Sequence, residues 1–328
     1  MVDRTIMDEG FRYAFKSCWG MKNAPCVVGV AQELSRYSYP AYLSHIRRIN
    51  TPLPDSAKMR APHALHPSTW GYTCPIETPD GRNVGIRKNF AVAARITVGL
   101  ATPPIEALCA DLNMIPLGRA LQSIHQSDVG LGTPILINER IVGYIWNAVG
   151  FVRTFRALRR RGVIHPYISI YLRNSLTKKS IIISTDDGRP IRPLIVVDPE
   201  TNTIVAEYPR GRKTIAYLCT GRDDIRDSDF FSIERIVDTD SLQQWKENSK
   251  AFMESQQGGI IEYIDPQEHD NCLIAMSEED RIMKDQVVRR FSHAEIHPSL
   301  IMGILGLNIP FTQTNQAPRN VYSSAQGK

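Results

Sequence analysis

The sequence predicts an α+β protein of several domains, and three observations carry that reading. At 328 residues the chain exceeds the roughly 100–200 of one domain. A helical pattern over 147–161 sits among short strand-like runs. The stretch 63–88 holds Pro67, Pro75, Pro79, Gly71, Gly81 and Gly85, which no long regular element tolerates. Hydrophobic residues at 42% and charged residues at 22% are globular proportions, which excludes disorder, collagen and coiled coil for the whole. The longest apolar runs, 26–30 and 194–197, fall far short of the ~18 residues of a membrane helix. Residues 1–10 have neither an apolar signal core nor a cleavage site, so an intracellular protein is expected. The six cysteines form no CxxC pair and read as free, mostly buried thiols.

Taken in order, 27–36 reads as the start of a helix. The prolines and aspartate of 50–55 mark a loop rather than a strand. Arg47 and Arg48 precede that loop and Lys58 and Arg60 follow it, placing four cations around one turn. The aromatic and apolar content of 63–88 favours an ordered irregular segment. Residues 135–145 alternate around Asn138-Glu139 in the manner of a hairpin. Over 147–161, Val149, Val152, Phe155 and Leu158 recur at three-residue steps, with Arg153, Arg156, Arg159, Arg160 and Arg161 on the other face and Gly162 as a stop. Strands are expected at 167–172, 179–185 and 195–206, with a tight turn at Asp187-Gly188. Two more follow at 260–263 and 272–276, separated by an acidic loop, 265–271. An apolar stretch, 300–310, leads into a polar end, 312–328.

Charge is segregated. Residues 36–95 carry nine basic against three acidic residues, and 236–290 carry six against twelve. A basic window suggests a polyanion partner at one end of the chain. Phosphate-cradling glycine loops of the GxxxxGK and GxGxxG kinds are absent. His293 and His297 are four apart, but Pro298 follows at once and the glutamate is out of step with a zinc-protease helix, so they read as structural histidines at a turn. The arginine helix reads as an amphipathic surface helix, because its apolar face already explains it. The strongest local signal is Asn315-Gln316-Ala317-Pro318-Arg319-Asn320-Val321-Tyr322, a cluster of directional donors suited to phosphate oxygens.

Three segments, Leu43-Ser44-His45-Ile46-Arg47-Arg48-Ile49-Asn50-Thr51-Pro52, Leu65-His66-Pro67-Ser68-Thr69-Trp70-Gly71 and Cys74-Pro75-Ile76-Glu77-Thr78-Pro79-Asp80-Gly81, resemble the fork of the second-largest, β-like subunit of multisubunit DNA-directed RNA polymerases. Ala157 to Gly162, Asp187 to Leu194, Glu262 to Asp265, His293 to Ser299 and Asn315 to Tyr322 resemble the same family, in family order. The wording is similar to the eukaryotic, archaeal and large-DNA-virus branch. It breaks off within the family's Gly-Lys segment, so the chain is expected to be a central fragment of a longer subunit.

The resemblance implies an α+β multidomain fold. It comprises the end of a lobe- or protrusion-proximal segment (1–35), a fork domain with irregular Pro/Gly-rich segments (36–105), two small mixed α/β external domains (135–198 and 213–276), and the start of a β-rich hybrid-binding domain (290–328). It implies template-directed RNA synthesis from ribonucleoside triphosphates, within a complex and with no activity for the fragment alone. Arg319 matches the arginine that contacts the incoming triphosphate. Arg47, Arg48, Asn50, Lys58, Arg60, Gln316, Asn320 and Lys328 are the implied nucleic-acid contacts. Glu77, Asp80 and Tyr322 match positions that pack together behind the nucleotide site. No catalytic residue and no metal ligand is expected in this stretch, the Mg²⁺ of the complete enzyme being held mainly by the largest subunit. Partners are that subunit and others, template DNA, nascent RNA and ribonucleoside triphosphates, with no membrane. The implied location is the nucleus, or a virion or cytoplasmic factory if the source is viral. Asp80, Thr314, Ala317 and Gln326 depart from the family's usual Glu, His, Ser and Met. The alternative is a non-catalytic nucleic-acid-binding scaffold derived from the same subunit.

Overall fold

A computed structural model describes residues 5, 7–8, 10–11, 18–19, 27–28, 32–51, 59–123, 132–174, 179–205, 211, 213–255, 258–278, 280 and 290–328. The fold is mixed α/β with several small sheets. The chain forms two compact units. The first gathers 1–64, 76–89 and 304–328; the second holds 65–75 and 90–303.

In the first unit, helix Tyr39–Ile46 starts at Ser38, whose hydroxyl accepts the Ala41 N–H, with Pro40 in the first turn. It leads directly into strand Arg48–Asn50, which pairs antiparallel with Arg87–Asn89 in the register Arg48 to Asn89 and Asn50 to Arg87. The short helix Ile304–Leu307 packs on Tyr39–Ile46 and on the terminal helix Ala317–Gln326. A separate two-residue ladder pairs Cys18–Trp19 with Val27–Val28.

The second unit contains two five-stranded sheets. In one, the strands run in the spatial order Ile115–Pro116, Arg140–Ile145, Thr133–Ile137, Lys179–Ser184, Ser169–Asn174. Its register sets Ile181 beside Ile135 and opposite Leu172, and Ile183 beside Ile137 and opposite Ile170. The period-two alternation therefore gathers Ile135, Ile137, Ile170, Ile181 and Ile183, all at most 2% exposed, into one core. Helix Ala148–Arg159 packs on this sheet, with Asn147 accepting the Gly150 N–H as its cap. In the other sheet, Pro190–Val196 is central. It pairs with Ile261–Ile264, with His293–Ala294 and, at its start, with Arg95–Ile96; Ile274–Ala275 lies beyond His293–Ala294.

Several expectations hold locally. The hairpin turns at Asn138-Glu139, both at positive φ (47° and 67°), the backbone of a tight primed turn. Gly188, at φ 72°, turns the chain into Pro190–Val196. His293 is buried, with Nδ1 against Ser292 Oγ at 3.0 Å and Nε2 against Glu262 at 3.2 Å, and His297 caps the turn Pro298–Ile301. Cys74, Cys109 and Cys219 are buried free thiols.

Others are corrected. Val27 and Val28 are strand, not helix, in keeping with their β-branched side chains; residues 29–31 lie outside the described set. Asn50, the first residue of the loop expected at 50–55, is instead the last residue of the strand Arg48–Asn50, and 52–58 lie outside the described residues. The strand expected at 195–206 begins at Pro190 and ends at Val196, where the chain turns back and Val197 meets Ile204. The acidic loop at 265–271 is largely a helix, Pro266–His269, capped by Asp265. The polar end is largely the helix Ala317–Gln326.

The arginine face of Ala148–Arg159 is not uniformly at the surface. Arg159 is 3% exposed and bonds both Glu262 (Nε, 3.0 Å) and Glu268 (Nη2, 2.8 Å), with a further donation to the Ile168 carbonyl at 2.6 Å. Arg160 closes on Glu262 at 2.8 Å and Arg156 on Glu268 at 3.0 Å. Burial works to raise the Glu262 carboxyl, but Arg159 and Arg160, with the His293 hydrogen bond, hold it well below the usual carboxylate range.

Candidate nucleic-acid interface

All the described residues singled out from the sequence lie in the first unit. Its described residues carry nine basic against four acidic side chains, and one of the acids, Glu77, is only 2% exposed. The outer surface of this unit is therefore strongly cationic.

The cations stand on regular structure. Arg47 is the C-terminal cap of Tyr39–Ile46, its N–H donating to the Leu43 carbonyl, where a cation complements the helix dipole. Burial lowers its pKa and nearby Glu77 opposes that. Arg48 is half-buried on the strand; burial and the like charge of Arg87 lower its pKa, against Glu77. Asn50 ends the strand, exposed, opposite Arg87. Arg60 is exposed and its carbonyl receives the His63 N–H. Lys58 lies outside the described residues.

Behind them, Glu77 fastens two segments. Its Oε1 accepts from the Ser44 hydroxyl at 2.6 Å and its carbonyl from Asn89 Nδ2 at 3.0 Å. Thr78 staples the turn that follows, donating to the Arg87 carbonyl and accepting the Gly85 N–H, both at 2.9 Å. Gly85 must be glycine: φ is +75° and a Cβ would stand 2.2 Å from the His63 carbonyl oxygen.

The terminal helix presents two faces. Asn320 and Ser324, four apart, are buried, at 4% and 2% exposure. Asn320 Nδ2 donates to the Thr312 carbonyl at 3.0 Å, while its Oδ1 is buried with no hydrogen-bond partner among the described residues. Ser324 shares its hydroxyl proton between the carbonyls of Val321 (2.8 Å) and Ile76 (3.3 Å). Arg319, Tyr322 and Gln326 lie on the exposed face. The Arg319 guanidinium makes no ion pair or hydrogen bond to a described residue. Gln316, exposed, precedes the helix and gives its carbonyl, not its side chain, to the first turn. At the far end the Lys328 main-chain oxygen accepts from Ser38 Oγ at 2.6 Å.

The structure thus brings Arg47, Arg48, Asn50, Arg60, Gln316, Arg319 and Lys328 into one basic unit, and puts Asn320 inside it as a brace. Of Glu77, Asp80 and Tyr322, expected to pack together behind the nucleotide site, only Glu77 is buried. Asp80 is exposed and accepts the Gly81 N–H at 2.9 Å, and Tyr322 is 44% exposed, because it stands roughly 200° around the helix from Asn320. Sequence reading missed Ser38, Ser44 and Ser324; the pair of small polar residues at 320 and 324 was the available signal. Among the described residues no group of three or more His, Cys, Asp or Glu converges to hold a metal ion, so the donor set described does not fit a Mg²⁺ cage. Nor is any described helix long and apolar enough to cross a membrane.

Comparison with known proteins fits this architecture. Three family models, described as RNA polymerase Rpb2 domains 3, 4 and 5, match residues 32–96, 135–198 and 252–298 in that order. The chain belongs to the family of second-largest, β-like subunits of multisubunit RNA polymerases. It is 34% identical to the DNA-directed RNA polymerase II subunit RPB2 of Encephalitozoon cuniculi, over 99% of this chain and 26% of that protein. The RPB2 of Schizosaccharomyces pombe is 32% identical (100% and 27%), and the DNA-directed RNA polymerase subunit Rpo2 of Sulfolobus acidocaldarius 27% (92% and 24%). The chain spans about a quarter of the length of these curated relatives.

Proposed function

We propose that this chain works within a DNA-directed RNA polymerase, in template-directed synthesis of RNA from ribonucleoside triphosphates, and that its own contribution is electrostatic. The observation that carries the reading is Arg319: a guanidinium on the outer face of a helix braced from behind, with no ion-pair or hydrogen-bond partner among the described residues, in a unit whose described exposed charge is mostly positive. Phosphoryl transfer depends on fixed positive charge where negative charge develops, and a planar guanidinium suits phosphate oxygens. Arg319 is assigned to the triphosphate of the incoming nucleotide. Arg47, Arg48, Asn50, Lys58, Arg60, Gln316 and Lys328 are assigned to nucleic-acid backbone, where cations set register and affinity rather than sequence preference. Asn320 and Glu77 serve as braces.

In this reading 36–105 is the fork, 135–198 and 213–276 are the external domains and 290–328 begins the hybrid-binding domain. Partners are the largest subunit and the other polymerase subunits, template DNA and nascent RNA. The catalytic Mg²⁺ is assigned to the largest subunit, and no step runs through a metal held by this chain. The site of action is the transcribed template, in the nucleus for a chain whose relatives are eukaryotic RNA polymerase II subunits.

The test is Arg319→Ala in the native assembly. Loss of a charge-assisted phosphate contact of roughly 1.5–3 kcal/mol raises the KM for nucleotides by about one to two orders of magnitude and slows elongation. Unchanged elongation kinetics at limiting nucleotide would refute the assignment. DNA binding that persists with no polymerisation in the unmodified assembly would favour a non-catalytic scaffold.

A further inference from the structure

We propose that Asn320 and Ser324 are positioning residues for Arg319, a role that rests on reading Arg319 as the triphosphate contact. A guanidinium stabilises a phosphate only as well as its backbone is placed, and misplacement of about 1 Å is costly. Nothing on the exposed face fixes Arg319, since its side chain has no described partner. Its position is therefore set by the helix it stands on, and two buried side chains tie that helix down. Asn320, the next residue, bonds the Thr312 carbonyl and so closes the loop that enters the helix. That bond matters more because Gln316 supplies no side-chain cap to this helix start. One turn on, Ser324 reaches the Ile76 carbonyl, 248 residues earlier, in the segment where Glu77 receives Ser44.

Both donors are hidden, Asn320 at 4% and Ser324 at 2% exposure, so neither is available to touch a nucleotide directly. The two buried side chains of this helix are both polar. A helix anchored by directional bonds to main-chain carbonyls has its rotation about its own axis specified, whereas a purely apolar seam specifies it less sharply. Rotation about that axis is the motion that would swing Arg319 away from its ligand.

The experiment is a double-mutant cycle in the native assembly, reading the KM for nucleotide and kcat separately. Asn320→Ala and Ser324→Ala each raise the KM about threefold to tenfold, with kcat within about twofold. In the Arg319→Ala background neither adds to the effect of Arg319→Ala alone, because the group they place is gone. Effects that multiply in the double mutants, or single mutants with unchanged KM, overturn the positioning role while leaving the Arg319 assignment intact. An unchanged KM in Arg319→Ala itself takes down both. If Asn320→Ala fails to assemble, Ser324→Ala and the milder Ser324→Cys carry the same cycle with the same two outcomes.

Discussion

In the unit built from 65–75 and 90–303, the buried guanidiniums face carboxylates. Arg159 sits between Glu262 and Glu268, Arg192 meets Glu295 at 2.7 Å, and the half-buried Arg189 meets Asp265 at 2.9 Å. In the other unit Arg60, Arg87 and Arg319 point outward, and the buried acid nearby, Glu77, is already receiving Ser44. The same residue type is spent on architecture in one unit and left available in the other. A charge withdrawn from water must be compensated, so the paired arginines are explained by folding alone. The outward ones have no such explanation, which is why they carry the functional reading.

The sharpest way to break the comparison is Arg159→Met. It removes the buried cation shared by Glu262 and Glu268, leaving them only the more peripheral Arg160 and Arg156, and should cost about 3–5 kcal/mol, read from the shift in denaturant midpoint. A loss below about 1 kcal/mol would mean that the network is ornamental. Next comes acid. His165 is buried, its Nδ1 accepting the Tyr167 N–H, and burial together with Arg235 pushes its pKa down to about 4 from 6.5. The unfolded chain takes up this proton first, so stability is full above pH 6.5 and drains as pH falls towards 4, by about 3 kcal/mol when complete. His165→Asn should flatten that part of the urea-midpoint profile. Glu262, held low, behaves in the same direction at lower pH: its contribution is present above the ordinary carboxylate range and lost only as pH falls through its depressed value.

Arg319→Ala follows in size, with its effect on nucleotide KM and none expected on folding. The smallest effects belong to Arg60→Ala and Arg87→Ala. Each should change stability by no more than about 0.5 kcal/mol, yet reduce the log–log salt slope of DNA binding by about 0.9. An unchanged slope would show that this face meets protein rather than a polyanion.

How much of this was legible in the sequence depended on where the bonding partners lie. The hairpin at Asn138-Glu139 and the helix Ala148–Arg159 could be read because their signals, alternation and an apolar stripe, are local. Arg159 could not, since its two glutamates lie 103 and 109 residues away. Pro190 and Pro193 argue against a central strand, yet the antiparallel pairing of Pro190–Val196 accommodates them. The terminal helix escaped detection because its buried face is Asn320 and Ser324, which give no hydrophobic period. In the candidate site the residue types were readable, but the split between braces and outward groups was not: Asn320 and Arg319 are neighbours in sequence, yet one is buried and the other exposed.

Two fastenings of the first unit share a polarity that bears on how freely its sequence can drift. Ser38 gives its proton to the main chain of Lys328, and Asn320 to that of Thr312. Every amino acid brings a carbonyl, so these two bonds ask nothing of the side chains at the receiving positions, while the donating ones are held to a narrow choice. A saturation library should find Ser38 and Asn320 intolerant, and residues 312 and 328 permissive in every assay that reads only assembly.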